Sequence, residues 1–388
     1  MAAGPTRDAE TIEAESAHDS TTEPPTDSVS RRKLLAATAA GSTAGTAGCA
    51  EIFGSDTANG GDETLHVSVW SGNYGERFEN SVVPMFEEEF DVTVQTHRGW
   101  NEILTNIRQA PDDDPPYDVT VTEGQMYHTG RNEDLFLPLR EENVPNLDEA
   151  IDFYVDEEEF RTAEYGVPAD GAPCTLVYRD DLDVEPDLWG DFSTDEVEGS
   201  AGIGVDTGFW WYPLHAAAIE LDEREGAGEL YEEELHDEVF DQLREWNITS
   251  WASSGEDVWQ DFDNDVIDVA QWYFDQTEFD IDDLEELSHT TPDVNTGYMN
   301  HWCVVDGTDK RDTAEEFLNF LMDAEVQSEW SEELPVMFSN ENMEYAGDLG
   351  EELPGSGEEV EDIAFPDWEY LTEYYDEFSN EFTEIETA

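Results

Sequence analysis

Basic residues are scarce in this 388-residue chain. Lysine occurs twice, at Lys33 and Lys310, and Lys plus Arg total 15 against 99 Asp plus Glu. No basic patch can neutralise a phosphate backbone, so nucleic acid is excluded as a partner. Cysteine is nearly absent as well: Cys49, Cys174 and Cys303 cannot staple a disulfide scaffold. Long apolar runs are missing, and none approaches the roughly 18–20 residues of a membrane-spanning helix. The eight histidines show no His-Glu-x-x-His spacing, and there is no Gly-x-Ser-x-Gly elbow. No metal and no cofactor is therefore expected. Runs such as Asp112-Asp113-Asp114 point to no catalytic pair, because acids are abundant everywhere.

What is present is acid and aromatic material. The formal net charge is −84. The first 48 residues hold seven acids and four bases, so the remainder keeps a net charge of −81. Self-repulsion of that size opposes a compact fold in dilute buffer. In molar salt the Debye length falls to about 3 Å and the repulsion is screened. The acids are spread along the chain, and Arg stands almost everywhere that Lys could, as on a haloarchaeal-type surface. Disorder is excluded by composition: 38% hydrophobic residues and 12% aromatics, with 12 Trp, suffice for a core.

Ser30-Arg31-Arg32-Lys33-Leu34-Leu35 opens an uncharged stretch that ends at Thr46-Ala47-Gly48-Cys49. A twin arginine before a short, weakly apolar segment reads as a Tat export signal. Small residues before a cysteine read as a lipoprotein cleavage site, with Cys49 carrying the lipid. The expectation is a chain held by lipid alone at the extracellular face of the cytoplasmic membrane. Residues 1–48 are then the signal region and 49–63 a tether. Outside the cell a disulfide between Cys174 and Cys303 is permitted; two separate buried thiols are the plainer reading.

From Leu65 the pattern alternates. Leu65–Trp70, Asp91–Thr96 and Tyr117–Thr122 read as strands, with helices over Glu76–Phe90 and Asn101–Gln109. This order implies a parallel sheet with crossover helices. Further strands are expected at Cys174–Tyr178, Ala201–Val205, Val266–Ala270, Leu284–Leu287 and Trp302–Val305. Helices are expected at Trp210–Leu221, Glu229–Trp246, Thr313–Met322, Ala324–Glu332 and Trp368–Phe382. About 325 residues exceed what one core usually supports, so two lobes are expected.

The motifs now in hand resemble the extracellular solute-binding proteins of ABC importers, in the spermidine/putrescine-binding-like branch. Trp70-Ser71-Gly72-Asn73-Tyr74 before Pro84-Met85-Phe86 is similar to the opening strand, aromatic loop and helix of that family. Tyr117-Asp118-Val119, then Tyr165-Gly166-Val167-Pro168 through Tyr178, resemble its third strand and first interlobe crossing. Gly297-Tyr298-Met299-Asn300, followed by Ala314, Phe317 and Asn319-Phe320-Leu321, resembles its second crossing and following helix. The resemblance implies an α/β, two-lobed, type II periplasmic-binding-protein-like fold, each lobe a mixed sheet flanked by helices, with a cleft between lobes. One lobe would comprise residues 64–168 with 296–335, the other 169–295 with 336–388.

It also implies a non-enzymatic monomer. Such a protein captures a small-molecule solute for the transmembrane subunits of an ABC permease, and a polyamine-like or other organic cation is weakly favoured. The alternative is an extracellular carboxylate-dependent hydrolase. Candidate ligand-binding residues are Trp70 and Tyr74 in the first loop, and Glu123 and Gln125 after the third strand. Asp170 follows the first crossing. Trp210 and Trp211 open a helix, Trp272 follows a strand, and Tyr298 and Asn300 lie at the second crossing. The family places an acid where this chain has Asn300, and Glu123 or Asp170 is the expected substitute. Glu123 serves equally as a helix-start acid. Trp210, Trp211 and Tyr212 are three adjacent aromatics, of which at least one is expected to line the cleft or the surface.

Overall fold

The computed structural model describes residues 63–388, apart from 156–163, 184, 206–207, 223–225, 282–283 and 285. The export signal, Cys49 and the tether up to residue 62 lie outside the described residues. The strands are β1 (Glu63–Trp70), β2 (Val92–Gly99), β3 (Val119–Thr122), β4 (Gly166–Arg179), β5 (Ala201–Gly204) and β6 (Ile248–Ala252). They continue with β7 (Val269–Tyr273), β8 (Leu287–Thr290), β9 (Asn295–Val304), β10 (Met337–Phe338) and β11 (Ile363–Ala364).

β1 pairs in parallel with β2 and β3, as the strand–helix alternation requires. β5 pairs in parallel with β6 and β7 in the second half. The two groups are joined by the long strands β4 and β9. Residues Gly166–Pro173 of β4 pair with β9, whereas Cys174–Tyr178 pair with β7. β9 pairs antiparallel with β3 through His301–Val304 and in parallel with β11 through Asn295 and Thr296. The sheet order is β2-β1-β3-β9-β4-β7-β5-β6.

Two hydrophobic clusters follow these groups. The first gathers residues from Leu65 to Ala169 and from Trp302 to Phe338, around Phe78, Phe86, Trp302 and Trp330. The second gathers residues from Cys174 to Tyr273 with Trp368, Leu371, Phe378 and Phe382 of the C-terminal helix Trp368–Glu386. β4 and β9 cross between the clusters with almost every residue buried. The crossing is tight: a Cβ on Gly171 would lie 2.1 Å from the Tyr298 carbonyl oxygen, so only glycine fits there.

Several boundaries differ from the sequence pattern. The helix expected over Glu76–Phe90 is two helices, Asn73–Asn80 and Val82–Glu89. Pro84 lacks an N–H and its ring crowds the carbonyl four residues earlier, so one continuous helix is broken ahead of it. The helix expected over Glu229–Trp246 begins as two 3-10 turns and becomes α-helical only at His236. Tyr231 is pinned there, its hydroxyl meeting His215 Nε2 at 2.6 Å and accepting from the Asp367 N–H at 2.9 Å. The strand expected at Val266–Ala270 lies three residues later. Asp265 adopts φ 54° and Val266 is exposed, so the chain is still turning there. Cys174 and Cys303 are separate buried thiols. Asp261–Asp265 forms a helix end clamped by Arg179, whose Nε lies 3.1 Å from Asp268 Oδ1.

Three of the few bases, Lys310, Arg140 and Arg311, serve buried acids. Asp118 accepts Lys310 Nζ at 2.9 Å, Thr308 Oγ1 at 2.6 Å and the His66 N–H at 2.7 Å. Glu315 is fully buried and accepts Arg140 Nε at 2.6 Å and Arg311 Nε at 2.9 Å. Burial pushes the Glu315 carboxyl up, but Arg140, Asn143 and Arg311 together bring it below its ordinary value.

Candidate functional site

Five of the sequence-derived candidates converge where β4 and β9 cross. β1 ends at Trp70, Gly72 turns the chain at φ 76°, and the next helix begins at Asn73. That turn brings Tyr74 back over the end of the strand. Register places Asp170 opposite Asn300 and Ala172 opposite Tyr298. With side chains alternating along each strand, these four lie on one face.

Asp170 is the centre of the polar network. Its Oδ2 accepts Tyr74 OH at 2.9 Å and Asn300 Nδ2 at 2.7 Å, and its Oδ1 accepts Trp302 Nε1 at 2.9 Å. Asn300 Oδ1 in turn accepts Trp70 Nε1 at 3.0 Å. This explains the amide at position 300. Asn300 donates to Asp170 and accepts from Trp70, whereas a carboxylate there would face a second carboxylate at hydrogen-bond distance. Burial pushes Asp170 up to about 6, while the three donors hold it from rising further.

Facing this cluster is a second buried acid that the sequence pattern did not single out. Asp275, on the short helix Phe274–Asp280 that follows β7, accepts Gln276 Nε2 at 2.5 Å on Oδ2. Its Oδ1 is buried without a hydrogen bond, although the Tyr298 hydroxyl is near enough to lower the carboxyl's pKa. Burial dominates and pushes Asp275 up to about 6, with the Asp170 charge adding to the rise. Tyr74 and Tyr298 are held protonated well above the usual phenol range, first by burial and then by the charges of both Asp170 and Asp275. The two acids and two tyrosines are thus one electrostatic unit. Among the described residues, no arginine, lysine or histidine appears among the groups acting on either carboxyl. This is the reverse of Asp118 and Glu315.

Aromatic walls surround the unit. Trp70 stacks on Trp100 with centroids 5.5 Å apart, and Trp100 is 46% exposed, so the pair runs from the buried network to solvent. Tyr298 meets Tyr273 edge-on at 5.8 Å, and Tyr273 meets Tyr212 at 5.5 Å. Trp210, Trp211 and Tyr212 are all buried, against the expectation that at least one would reach a cleft or the surface. The second core accommodates all three because the C-terminal helix packs on them: Trp210 meets Tyr375 and Phe378, and Trp211 meets Trp368 at 4.7 Å. Trp272 lies on β7 itself, its ring over Gly204, with its indole N–H buried and unpartnered.

Glu123 is the N-cap of the helix Gly124–Asn132, its Oε1 accepting the Gln125 and Met126 N–H groups at 3.1 and 3.2 Å. Burial pushes its carboxyl up to about 7. Both capping bonds occupy the side chain locally, and Gln125 is half-buried beside it. Trp368 closes this corner: a Cβ on Gly124 would fall 2.5 Å from its indole nitrogen. The sequence pattern missed Trp100, Asp275 and Trp368. For Asp275 a signal existed. The apolar run continues through Trp272-Tyr273-Phe274, so the first acid beyond the strand is Asp275.

Solved structures share this fold. An ABC transporter protein from Clostridium perfringens superimposes with a TM-score of 0.65 at 20% identity, covering 83% of this chain and 99% of that one. The spermidine/putrescine ABC transporter substrate-binding protein PotD from Streptococcus pneumoniae gives 0.69 at 15% identity, covering 84% and 99%. The binding protein AgtB from A. tumefaciens R10, solved with agropinic acid, gives 0.63 at 17% identity, covering 84% and 99%. The fold is therefore the two-lobed type II architecture with a mixed sheet. A comparison with curated protein sequences finds no match. The family model for bacterial extracellular solute-binding proteins matches residues 81–348, more than half of the chain, and the protein belongs to that family.

Proposed function

We propose that this protein captures a small organic cation of the polyamine type and delivers it unchanged to an ABC permease. The observation that carries the cation is the pair Asp170 and Asp275. Both are buried, both are pushed up to about 6, and neither has a basic partner among the described residues. A buried carboxylate without a countercharge costs stability that an arriving cation restores. Trp70, Tyr74 and Tyr298 supply aromatic surface beside the acids, and each ring face attracts a cation by roughly 0.5–2 kcal/mol. Gln125, beside Glu123, lines the corner under Trp368.

The lobes are residues 64–168 with 296–335 and residues 169–295 with 336–388. The break between the two hydrophobic clusters at β4 and β9 supports this division, although Val336 and Phe338 pack with the first cluster. Closure about the two crossing strands would bring Trp70 and Tyr74 of one lobe towards Asp275 of the other around the solute. The protein acts as a monomer, exported by the Tat route and held by lipid on Cys49, and its acidic surface suits a high-salt exterior. The polyamine named for the Streptococcus neighbour supports the cation class. The asparagine at position 300 is compatible with it because Asp170 and Asp275 already supply two charges.

The test is a thermal-shift screen in molar KCl with spermidine, putrescine, amino acids, sugars and agropinic acid. A saturable rise with an organic cation, and no turnover, is the expected result. A response confined to sugars or anions would remove the cation reading.

A further inference from the structure

We propose that Gly124 and Trp368 form the contact that holds the two lobes shut, so that this pair sets solute affinity by fixing the closed fraction of the clamp. The inference deepens the capture function proposed above and rests on its division into two lobes. Gly124 opens the helix Gly124–Asn132, whose Met126 and Tyr127 belong to the first hydrophobic cluster. Trp368 opens the C-terminal helix and belongs to the second. β3 ends at Thr122, opposite His301, and Glu123 and Gly124 follow directly. The contact therefore lies at the Asn300 end of the β3–β9 pair.

Each partner is fixed to its own lobe. On the first, Glu123 caps the helix through the Gln125 and Met126 N–H groups, and its carbonyl accepts the Tyr127 N–H at 2.8 Å. On the second, Asp367 caps the C-terminal helix, its Oδ1 accepting the Glu369 and Tyr370 N–H groups at 2.9 and 3.2 Å. Tyr370 OH meets His236 Nε2 at 2.8 Å, and the Trp368 ring meets Trp211 edge-on. Trp368 thus moves with the second lobe and Gly124 with the first.

The approach is close. A Cβ on Gly124 would lie 2.5 Å from Trp368 Nε1 and 2.9 Å from its Cδ1. The backbone at 124 is helical and not left-handed, so it is the indole, and not φ, that demands glycine. Two effects then oppose each other. Trp368 is 6% exposed, so closure takes its ring out of water. Its N–H is buried without an acceptor, a cost that opening returns because water then reaches the donor. The contact holds the lobes and still lets them part. A longer-range interaction joins the same helices: burial lowers the His128 imidazole, and the charges of Glu369 and Asp367 act against that fall.

The experiment is a pulsed electron paramagnetic resonance distance measurement on the Cys49→Ser chain in molar KCl. Nitroxides are placed at Glu88→Cys and Glu238→Cys, exposed positions on the first and second lobes, while Cys174 and Cys303 are buried. Alanine is the better helix former, so Gly124→Ala costs the first lobe nothing by itself. The expected result is a shift of the solute-free distances to longer values in Gly124→Ala, with the far-ultraviolet spectrum preserved. Spermidine is the affinity probe, and its Kd should rise by the factor by which the closed fraction falls. Trp368→Ala should open the clamp as well, and adding Gly124→Ala to it should change nothing more, because the ring that clashes is gone. Identical distances in the unsubstituted pair and in Gly124→Ala would overturn the proposal. So would a less stable Trp368→Ala with unchanged distances, which would reduce Trp368 to core packing. A chain with Gly124 and Trp368 intact that ignores spermidine counts against the cation reading alone, because the distances decide the contact by themselves.

Discussion

Asp275→Asn removes one negative charge and little else. The side chains have the same shape, Oδ2 can keep its bond from Gln276, and the new amide can donate to the Tyr298 hydroxyl. Burial pushes the Asp275 carboxyl from 3.8 up to about 6, so keeping it ionised at pH 7.5 costs up to about 3 kcal/mol. The solute-free variant should therefore be more stable, by up to that amount and a few degrees in Tm. Losing one buried charge opposite a cation should weaken binding by about 2–5 kcal/mol, which is about 30-fold or more.

Stability and affinity thus move in opposite directions. The pH dependence has a definite sign. A carboxyl whose folded-state pKa is raised carries no penalty below about 4 and the full penalty above about 6. In the solute-free protein this contribution to stability falls as pH rises through that window, and Asp275→Asn removes half of what Asp170 and Asp275 together impose. Solute affinity runs the other way and falls on acidification from pH 7.5 to 5. Differential scanning fluorimetry and isothermal titration calorimetry in molar KCl read both quantities. A lower Tm for Asp275→Asn, or unchanged affinity, would refute the reasoning.

Other perturbations have equally definite outcomes. Gly171→Ala puts a Cβ into the Tyr298 carbonyl and should destabilise the β4–β9 crossing by several kcal/mol, read by denaturant unfolding. Trp70→Ala removes the indole bond to Asn300 and the stacking on Trp100 and should weaken solute binding at least tenfold with the far-ultraviolet spectrum preserved; unchanged affinity removes Trp70 from the site. Lowering KCl from molar to millimolar should unfold the solute-free protein, because a net charge of −84 is then unscreened. Cys49→Ser should release the exported chain from membranes into the medium, scored by fractionation.

Much of the architecture was legible because it follows from local pattern. The run Leu65–Trp70, the glycine turn and the following helix place Trp70 and Tyr74 together whatever the rest of the chain does. The family resemblance of the Val-Pro and Tyr-Met-Asn segments marked both crossings, and it left Glu123 or Asp170 as the acid in place of one at position 300. Asp275 was obscured by a slip of three residues in one strand, which moved the position beyond its end from Asp275 to Gln271 and Trp272. Trp100 and Trp368 had no local signal. Each matters through a partner far away in the chain, Trp70 for one and Gly124 for the other. The tryptophan pair at 210 and 211 was misjudged for a similar reason: the C-terminal helix that covers them lies more than 150 residues downstream.

Composition and periodicity alone determined the strongly acidic character of the chain, the parallel α/β units and the candidate aromatics of the first loop. Those properties depend on residue types and on spacing within about twenty residues. Which acids lack a countercharge was decided only in three dimensions. Lys310, Arg140 and Arg311 lie within hydrogen-bond reach of Asp118 and Glu315, and none of them is among the groups acting on Asp170 or Asp275. Burial and pairing are set by neighbours from distant strands, and it is those neighbours that turn two of 99 acids into a candidate cation site.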